Sequence, residues 1–473
     1  MRRAAAALLA LLVAGAITPG AASAHGFVVR SDLPIPEWLF GWAAAVVLIV
    51  SFVGLAVLWP EPRLQDGAWR PLPRGLGRIP ASRPVELAAG AIGLFLLGLT
   101  IYSGLKGSQT PTQNFATVFI YIVFWVGLVP VSVVLGDVFR AFNPWRAAGR
   151  AVAWGAQRRA RGPLPAPLDY PNWLGRWPAV VAIFAFCVLE LVVSPSNGTR
   201  PDTVVEAALV YSALTFVAMA LFGVETWIER GEAFSVYFNL FSRLSVFERR
   251  GAEVGLRRPL SGLASLEPSP GTVALLAVMI GSTSFDGLGE SPLWTEIAPH
   301  LSKWFGSLGL APSDALEAAF AVGLIACVAL VFGFYRLAIV GARSVGGGFS
   351  ADRLAGTFVH SLVPIALAYV SAHYLTFLVY QGQLIFPLAS NPLGRGTNPI
   401  GSIDYTVLGA TAVWYLQVAF VVGGHVAGLT LAHDRALALY DRAKLAVRSQ
   451  YWMLAVMVGF TSLALFILSQ SNV

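Results

Sequence analysis

Trp38-Leu-Phe-Gly-Trp-Ala-Ala-Ala-Val-Val-Leu-Ile-Val-Ser-Phe-Val-Gly-Leu-Ala-Val-Leu-Trp59 runs without a single charge, and its length decides how the chain is read. A helix needs about 20 mainly apolar residues to cross the hydrocarbon of a bilayer. Similar runs recur along the chain. Reading outward from the first, the spans fall at 38–59, 85–105, 114–136, 178–194, 204–227, 272–289, 316–341, 354–380, 405–432 and 452–470. These predict an all-α polytopic transmembrane bundle of about ten helices, forming one integral membrane domain over 25–473.

Composition agrees. Of 473 residues, 56% are hydrophobic and 12% charged, and the mean hydropathy is +0.68. A soluble chain is about one-quarter charged; so few charges cannot coat a surface facing water. The net charge of +7 raises nucleic acid as a partner. No basic–aromatic patch or nucleic-acid-binding motif accompanies the charge, so the reading is no nucleic acid. The arginines instead sit in short loops between apolar runs, where they orient a membrane protein. Cys187 and Cys327 each lie inside an apolar run, without ligand-like spacing, and read as fillers of helix interfaces.

Residues 1–24 read as a secretory signal. Arg2 and Arg3 precede the short apolar stretch Ala4–Ile17, Pro19 and Gly20 break it, and Ala22-Ser23-Ala24 supplies the small-x-small cleavage pattern. Cleavage there makes His25 the first mature residue. With that end outside, the loops after spans one, three, five, seven and nine hold five, seven, six, three and four of the 32 Arg and Lys. The outer segments hold five in all, Arg30, Lys106, Arg200, Lys303 and Arg395. Such alternation is the positive-inside rule. It predicts a multi-pass protein of the bacterial plasma (inner) membrane, with both mature ends outside. The inner loop 228–271 carries Phe234-Ser-Val-Tyr-Phe-Asn-Leu-Phe-Ser-Arg-Leu, whose aromatic spacing suits a helix lying in the interface.

Ionisable residues inside a bilayer are costly and are functional candidates for that reason. The sixth span carries Gly281-Ser-Thr-Ser-Phe-Asp286-Gly287-Leu-Gly289-Glu290, poor helix formers around an acid. Either the helix unwinds there, or the span ends early and Asp286 begins a wet loop. Asp286 lies roughly 21 Å, and His373 of the eighth span roughly 28 Å, from the inner ends of their spans, so both reach one outer mouth. Glu190 stands mid-span with no neutralising neighbour in sequence, while Glu225, Glu229 and Glu232 form an inner cluster for arginines to neutralise. His360 and His425 fall at similar inner depth on neighbouring spans, where two histidines could clasp a b-type haem; the competing reading is satisfied intramembrane histidines. An N-terminal His25 offers an α-amine and an imidazole to one copper or zinc ion, with His373 or His300 and the carboxylates of Asp286 or Glu290 completing the set. The competing reading is an ordinary cleavage junction.

Several stretches together resemble bacterial membrane proteins of the fenitrothion hydrolase (membrane-bound type) family. They are Ala24-His25-Gly26, Asp32-Leu-Pro-Ile-Pro-Glu-Trp-Leu-Phe, Asn143-Pro-Trp-Arg, Ser284-Phe-Asp-Gly, Leu362-Val-Pro-Ile-Ala-Leu-Ala-Tyr, Ala372-His-Tyr and Gly424-His-Val-Ala. The resemblance implies a metal-dependent organophosphate ester hydrolase acting at the outer face on a lipophilic small molecule, with a second membrane subunit as a candidate partner. His25 and His373 would hold the metal, and Asp286 or Glu290 would serve as base or ligand. Two other functions fit the residues themselves. One is a transporter or permease with an intramembrane carboxylate site; the other is a haem-binding or assembly protein using His360 and His425.

Overall fold

Backbone N–H and C=O groups in hydrocarbon find no water, so a spanning segment must satisfy them within its own helix. The computed structural model describes residues 37–73, 75–160, 166–193, 198–396 and 403–470. The expected signal peptide and His25 lie outside them. Among the described residues, nine helices are long and apolar enough to cross a membrane.

The principal helices are α1 (Glu37–Leu58), α2 (Arg83–Lys106), α3 (Phe115–Leu135), α4 (Pro144–Arg159), α5 (Trp177–Leu191), α6 (Pro201–Phe222) and α7 (Ala233–Ser242). They continue with α8 (Thr272–Gly289), α9 (Pro292–Ser307), α10 (Pro312–Arg343), α11 (Ala351–His373), α12 (Leu375–Ser390), α13 (Ala410–Leu439) and α14 (Tyr451–Gln470). Large apolar side chains such as Trp42, Val57, Phe95, Val181 and Val217 stand exposed along the flanks. So much open apolar surface has no place in water and fits lipid as the solvent. The chain is an all-α, multi-pass membrane bundle.

Four features differ from the expectation. The fourth expected span is α5, which has 15 residues. At 1.5 Å per residue it covers about 22 Å, short of the roughly 30 Å of hydrocarbon. The eighth span ends at His373, with Tyr374 capping it, and turns into the short helices of α12. The sixth span neither unwinds nor ends early. α8 runs unbroken through Asp286 because Ser282, Thr283 and Ser284 donate their hydroxyls back to the carbonyls of Met279 and Ile280. Its glycine allows close approach: a Cβ on Gly281 would stand 2.6 Å from the Val328 Cα of α10.

The fourth difference is α7, expected in the interface and found at the centre of the bundle. Every residue from Ala233 to Ser242 except Asn239 is buried. Phe234, Tyr237, Phe238 and Phe241 interlock with Phe124, Trp125, Phe139 and Phe186 at ring separations of 4.4–6.4 Å. The buried Glu232 begins this helix, accepting from the backbone N–H of Phe234 (3.1 Å) and Ser235 (2.8 Å), from Asn143 Nδ2 (2.9 Å) and from the Tyr211 hydroxyl. It has no arginine partner among the described residues, unlike Glu225 and Glu229, which pair with Arg140.

The arginine-bearing loops gather at one end. Strands β1 (Trp69–Pro71), β2 (Phe247–Arg250) and β3 (Glu253–Arg257) join the loop between α1 and α2 to the loop between α7 and α8 in an antiparallel sheet of order β1-β3-β2. Trp69 stands opposite Arg257 in the register. At the same end Asp434 accepts from Trp59 Nε1 (3.1 Å), Arg63 N (2.5 Å) and Gln65 Nε2 (2.7 Å), tying the loop after α1 to α13. The opposite end is tied by Arg395 Nη2 donating to the Lys106 carbonyl and by Ser108 N donating to Leu393.

Candidate functional site

Three helices packed side by side run the same way. At their starts, Arg176 N donates to the Pro270 carbonyl (2.8 Å), and Gly356 of α11 abuts Pro268. Their far ends bring together Glu190 of α5, Asp286 of α8 and His373 of α11. His373 Nε2 meets Asp286 Oδ2 at 2.9 Å, with side-chain exposures of 18% and 21%. The pair is therefore reachable without being bathed in water. Tyr374 directs its hydroxyl toward the same carboxylate, and Glu190 and Glu290 lie within electrostatic range of Asp286.

The local fold explains the convergence. α5 stops at Leu191, which leaves Glu190 on its last turn. α11 stops at His373, whose ring stands 4.7 Å from that of Tyr374. A helix C-terminus carries a partial negative charge from its unpaired carbonyls. Asp286 and Glu290 lie beside the one imidazole and Glu190 beside Asp286, so acids outnumber the imidazole at these helix ends. Tyr121, Tyr237 and the buried Cys187 stand around Glu190. Tyr121 sits in a π-helical stretch of α3, Phe119–Gly127, and donates to the Gly198 carbonyl at 3.0 Å. Helices widen in this way disproportionately at functional sites.

Of the residues singled out by sequence, Asp286, His373 and Glu290 come together, and Glu190 joins them. His300 is exposed on α9. Copper or zinc needs three or four converging donors. Among the described residues no group of three or more His, Cys, Asp or Glu is arranged to hold a metal ion, and His25 lies outside them. These residues alone do not make a metal centre.

The haem pair does not form. His425 is fully buried, and its Nδ1–H donates to the Val421 carbonyl at 2.7 Å. His360, also buried, lies beside the backbone of Thr357 and Leu431. Leu431 is six residues beyond His425, about 9 Å along the helix. Between α11 and α13 there is no width for a porphyrin, since a Cβ on Gly424 would stand 2.4 Å from Ala368 Cβ and one on Gly428 2.8 Å from the Ser361 carbonyl. His433 is structural: its Nδ1 meets Gln450 Oε1 and its Nε2 the Trp59 carbonyl, both at 3.1 Å.

The tyrosines around Glu190 were missed by sequence reading, because nothing in an apolar run shows which way each residue faces. No protein-family model, curated protein or solved structure matches this chain.

Proposed function

We propose that this chain is a permease of the bacterial plasma membrane, with its basic loops inside, its mature N-terminus outside, and a cation-binding centre made by Glu190, Asp286 and His373. The observation that carries the reading is the Asp286–His373 pair at 2.9 Å with Glu190 in electrostatic range. Ionisable groups at membrane depth mark ion and proton pathways, and this set stands where three helix C-termini add negative potential. The gathering of arginine-rich loops at the other end supports the orientation.

The test is uptake by proteoliposomes of purified protein, with protons, sodium, copper or zinc as the probe cation. Wild type moves one of these faster than protein-free vesicles, and Asp286→Asn abolishes the difference. Uptake no faster than in protein-free vesicles for every cation would sink the reading.

Ester hydrolysis is the second reading. It is supported by the resemblance to the fenitrothion hydrolase family and by the dyad itself, since a carboxylate that orients an imidazole is the arrangement of a general base. Purified protein that carries no stoichiometric metal and releases no nitrophenol from an aryl phosphotriester removes it.

A further inference from the structure

The approaches to α5 and α8 border a cavity of about 750 Å³, within the roughly 300–1,000 Å³ typical of small-molecule sites. Its wall presents Arg176, immediately before α5, and Arg243, just past α7. Arg176 Nη1 donates to Thr272 Oγ1 (3.1 Å). Arg243 makes long contacts with neutral groups: Asn239 Oδ1 (3.3 Å), the Gly262 carbonyl (3.4 Å) and Ser265 Oγ (3.4 Å). Among the described residues neither arginine forms an ion pair. Burial and the neighbouring Arg243 charge pull the Arg176 guanidinium down to about 10, and burial lowers that of Arg243. Both remain cationic at neutral pH.

Two of the four acids of the cavity are held in ion pairs. Asp137 accepts from Asn239 Nδ2 (2.9 Å), Glu229 pairs with Arg140, and Glu248 pairs with Arg250 and Arg257. Among the described residues Asp137 and Glu267 form no ion pair; Glu267 is exposed at the rim, and Arg230 stacks over Tyr170. Four arginines and four carboxylates line the cavity in formal balance, and among the described residues only Arg140 of these arginines is held in an ion pair. The N-termini of α5 and α8 begin beside it and add positive potential of their own.

We infer that this cavity binds a phosphate-class oxyanion between Arg176 and Arg243. The planar fork of a guanidinium matches such an oxyanion with two parallel hydrogen bonds. The source is free phosphate or its small esters, or the headgroup of an anionic phospholipid.

The test uses the intact protein in neutral detergent. Unfolding is followed by the reaction of the two cysteines, Cys187 and Cys327, with a thiol-reactive coumarin. Inorganic phosphate is titrated against chloride at constant ionic strength, and phosphatidylglycerol against phosphatidylcholine. One of the two anions raises the unfolding temperature; which one does so identifies the source. Arg176→Gln and Arg243→Gln each weaken the effect about tenfold or more, the worth of one charge-assisted hydrogen bond. Arg243→Lys retains part of it, and Arg158→Gln on the exposed face of α4 retains all. Without ligand, Arg176→Gln unfolds no earlier than wild type, because it removes a buried charge that lacks a partner. Stabilisation by neither anion, stabilisation that survives both Gln substitutions, or collapse of both Gln variants without ligand overturns the inference.

Discussion

Glu232 is the most exacting point at which to test how the bundle is held together. Its carboxylate is fully buried, receives four donors and has no cation beside it among the described residues. Glu232→Ala removes all four acceptor contacts. Losing the helix cap costs about 1–2 kcal/mol. Leaving Asn143 Nδ2 and the Tyr211 hydroxyl without this acceptor costs about 1 kcal/mol or more each. Asn143 keeps a bond to Ser235 Oγ at 2.9 Å, so the lower end applies there. The sum is about 3–5 kcal/mol. Glu232→Gln retains one oxygen for Ser235 N and Asn143, while its new amide donates to the Tyr211 oxygen. The Phe234 N–H and the Tyr211 O–H then lose their acceptor, at about 1 kcal/mol each. The buried Cys187 on the neighbouring α5 supplies the assay, since its thiol meets a coumarin maleimide only when the bundle opens. For a chain of this size the Ala variant unfolds roughly 5 °C earlier than wild type and the Gln variant 1–3 °C earlier. If the two variants unfold together, the negative charge holds α7 in place and the counting of acceptors is wrong.

Three further outcomes follow from packing and pairing. Gly424→Val lowers stability by about 1–3 kcal/mol or more through overpacking against Ala368 and the Pro364 carbonyl, whereas Gly423→Val, whose Cβ would meet nothing within 4 Å, leaves the unfolding temperature unchanged. Arg146→Ala breaks contacts to Glu86 (2.5 Å) and Glu225 (2.9 Å) from a side chain that is 9% exposed, and costs about 3–5 kcal/mol; Arg150→Ala, half-exposed, costs under about 1 kcal/mol by the same thermal assay. Asp434→Ala frees the loop after α1, so trypsin cleaves after Arg63 in the folded protein at a rate well above that for wild type; equal rates would show that the clasp does not hold the loop.

That the chain is a multi-pass helical bundle was legible because hydropathy reports on the solvent around each segment. What each helix face meets was not, since lipid tails and a protein interior are equally apolar. The aromatic run at 234–244 therefore gave no sign that α7 would be enclosed on all sides. The meeting of Asp286 and His373 could be anticipated from depth alone, as both lie far from the starts of helices that begin at one end. Glu190 could not be placed beside them without knowing that α5 stops at 15 residues. The haem pairing failed on a boundary. With the ninth span taken to end at Ala432, His425 sits seven residues from its end and matches His360. The helix continues to Leu439, and the match disappears.

The ends of α5, α8 and α11 carry opposite chemistry, and one cause does not account for both. Under the proposed orientation the arginines near the starts of α5 and α8 would serve topology, which needs positive charge near a span's inner end but asks nothing of its surroundings. Orientation would be served equally by an exposed arginine or by one in an ion pair, as Arg150 and Arg140 are. Arg176 and Arg243 are half-buried and, among the described residues, lack a carboxylate in ion-pair contact, which lowers stability without improving topology. At the far end the same argument applies with the sign reversed. Glu190 and Asp286 contribute nothing to orientation, and apolar residues would pack there at lower cost. A fold that leaves arginines without ion pairs at one end of these helices and gathers carboxylates at the other gives up stability at both. That cost makes sense where each end has a charged partner to receive.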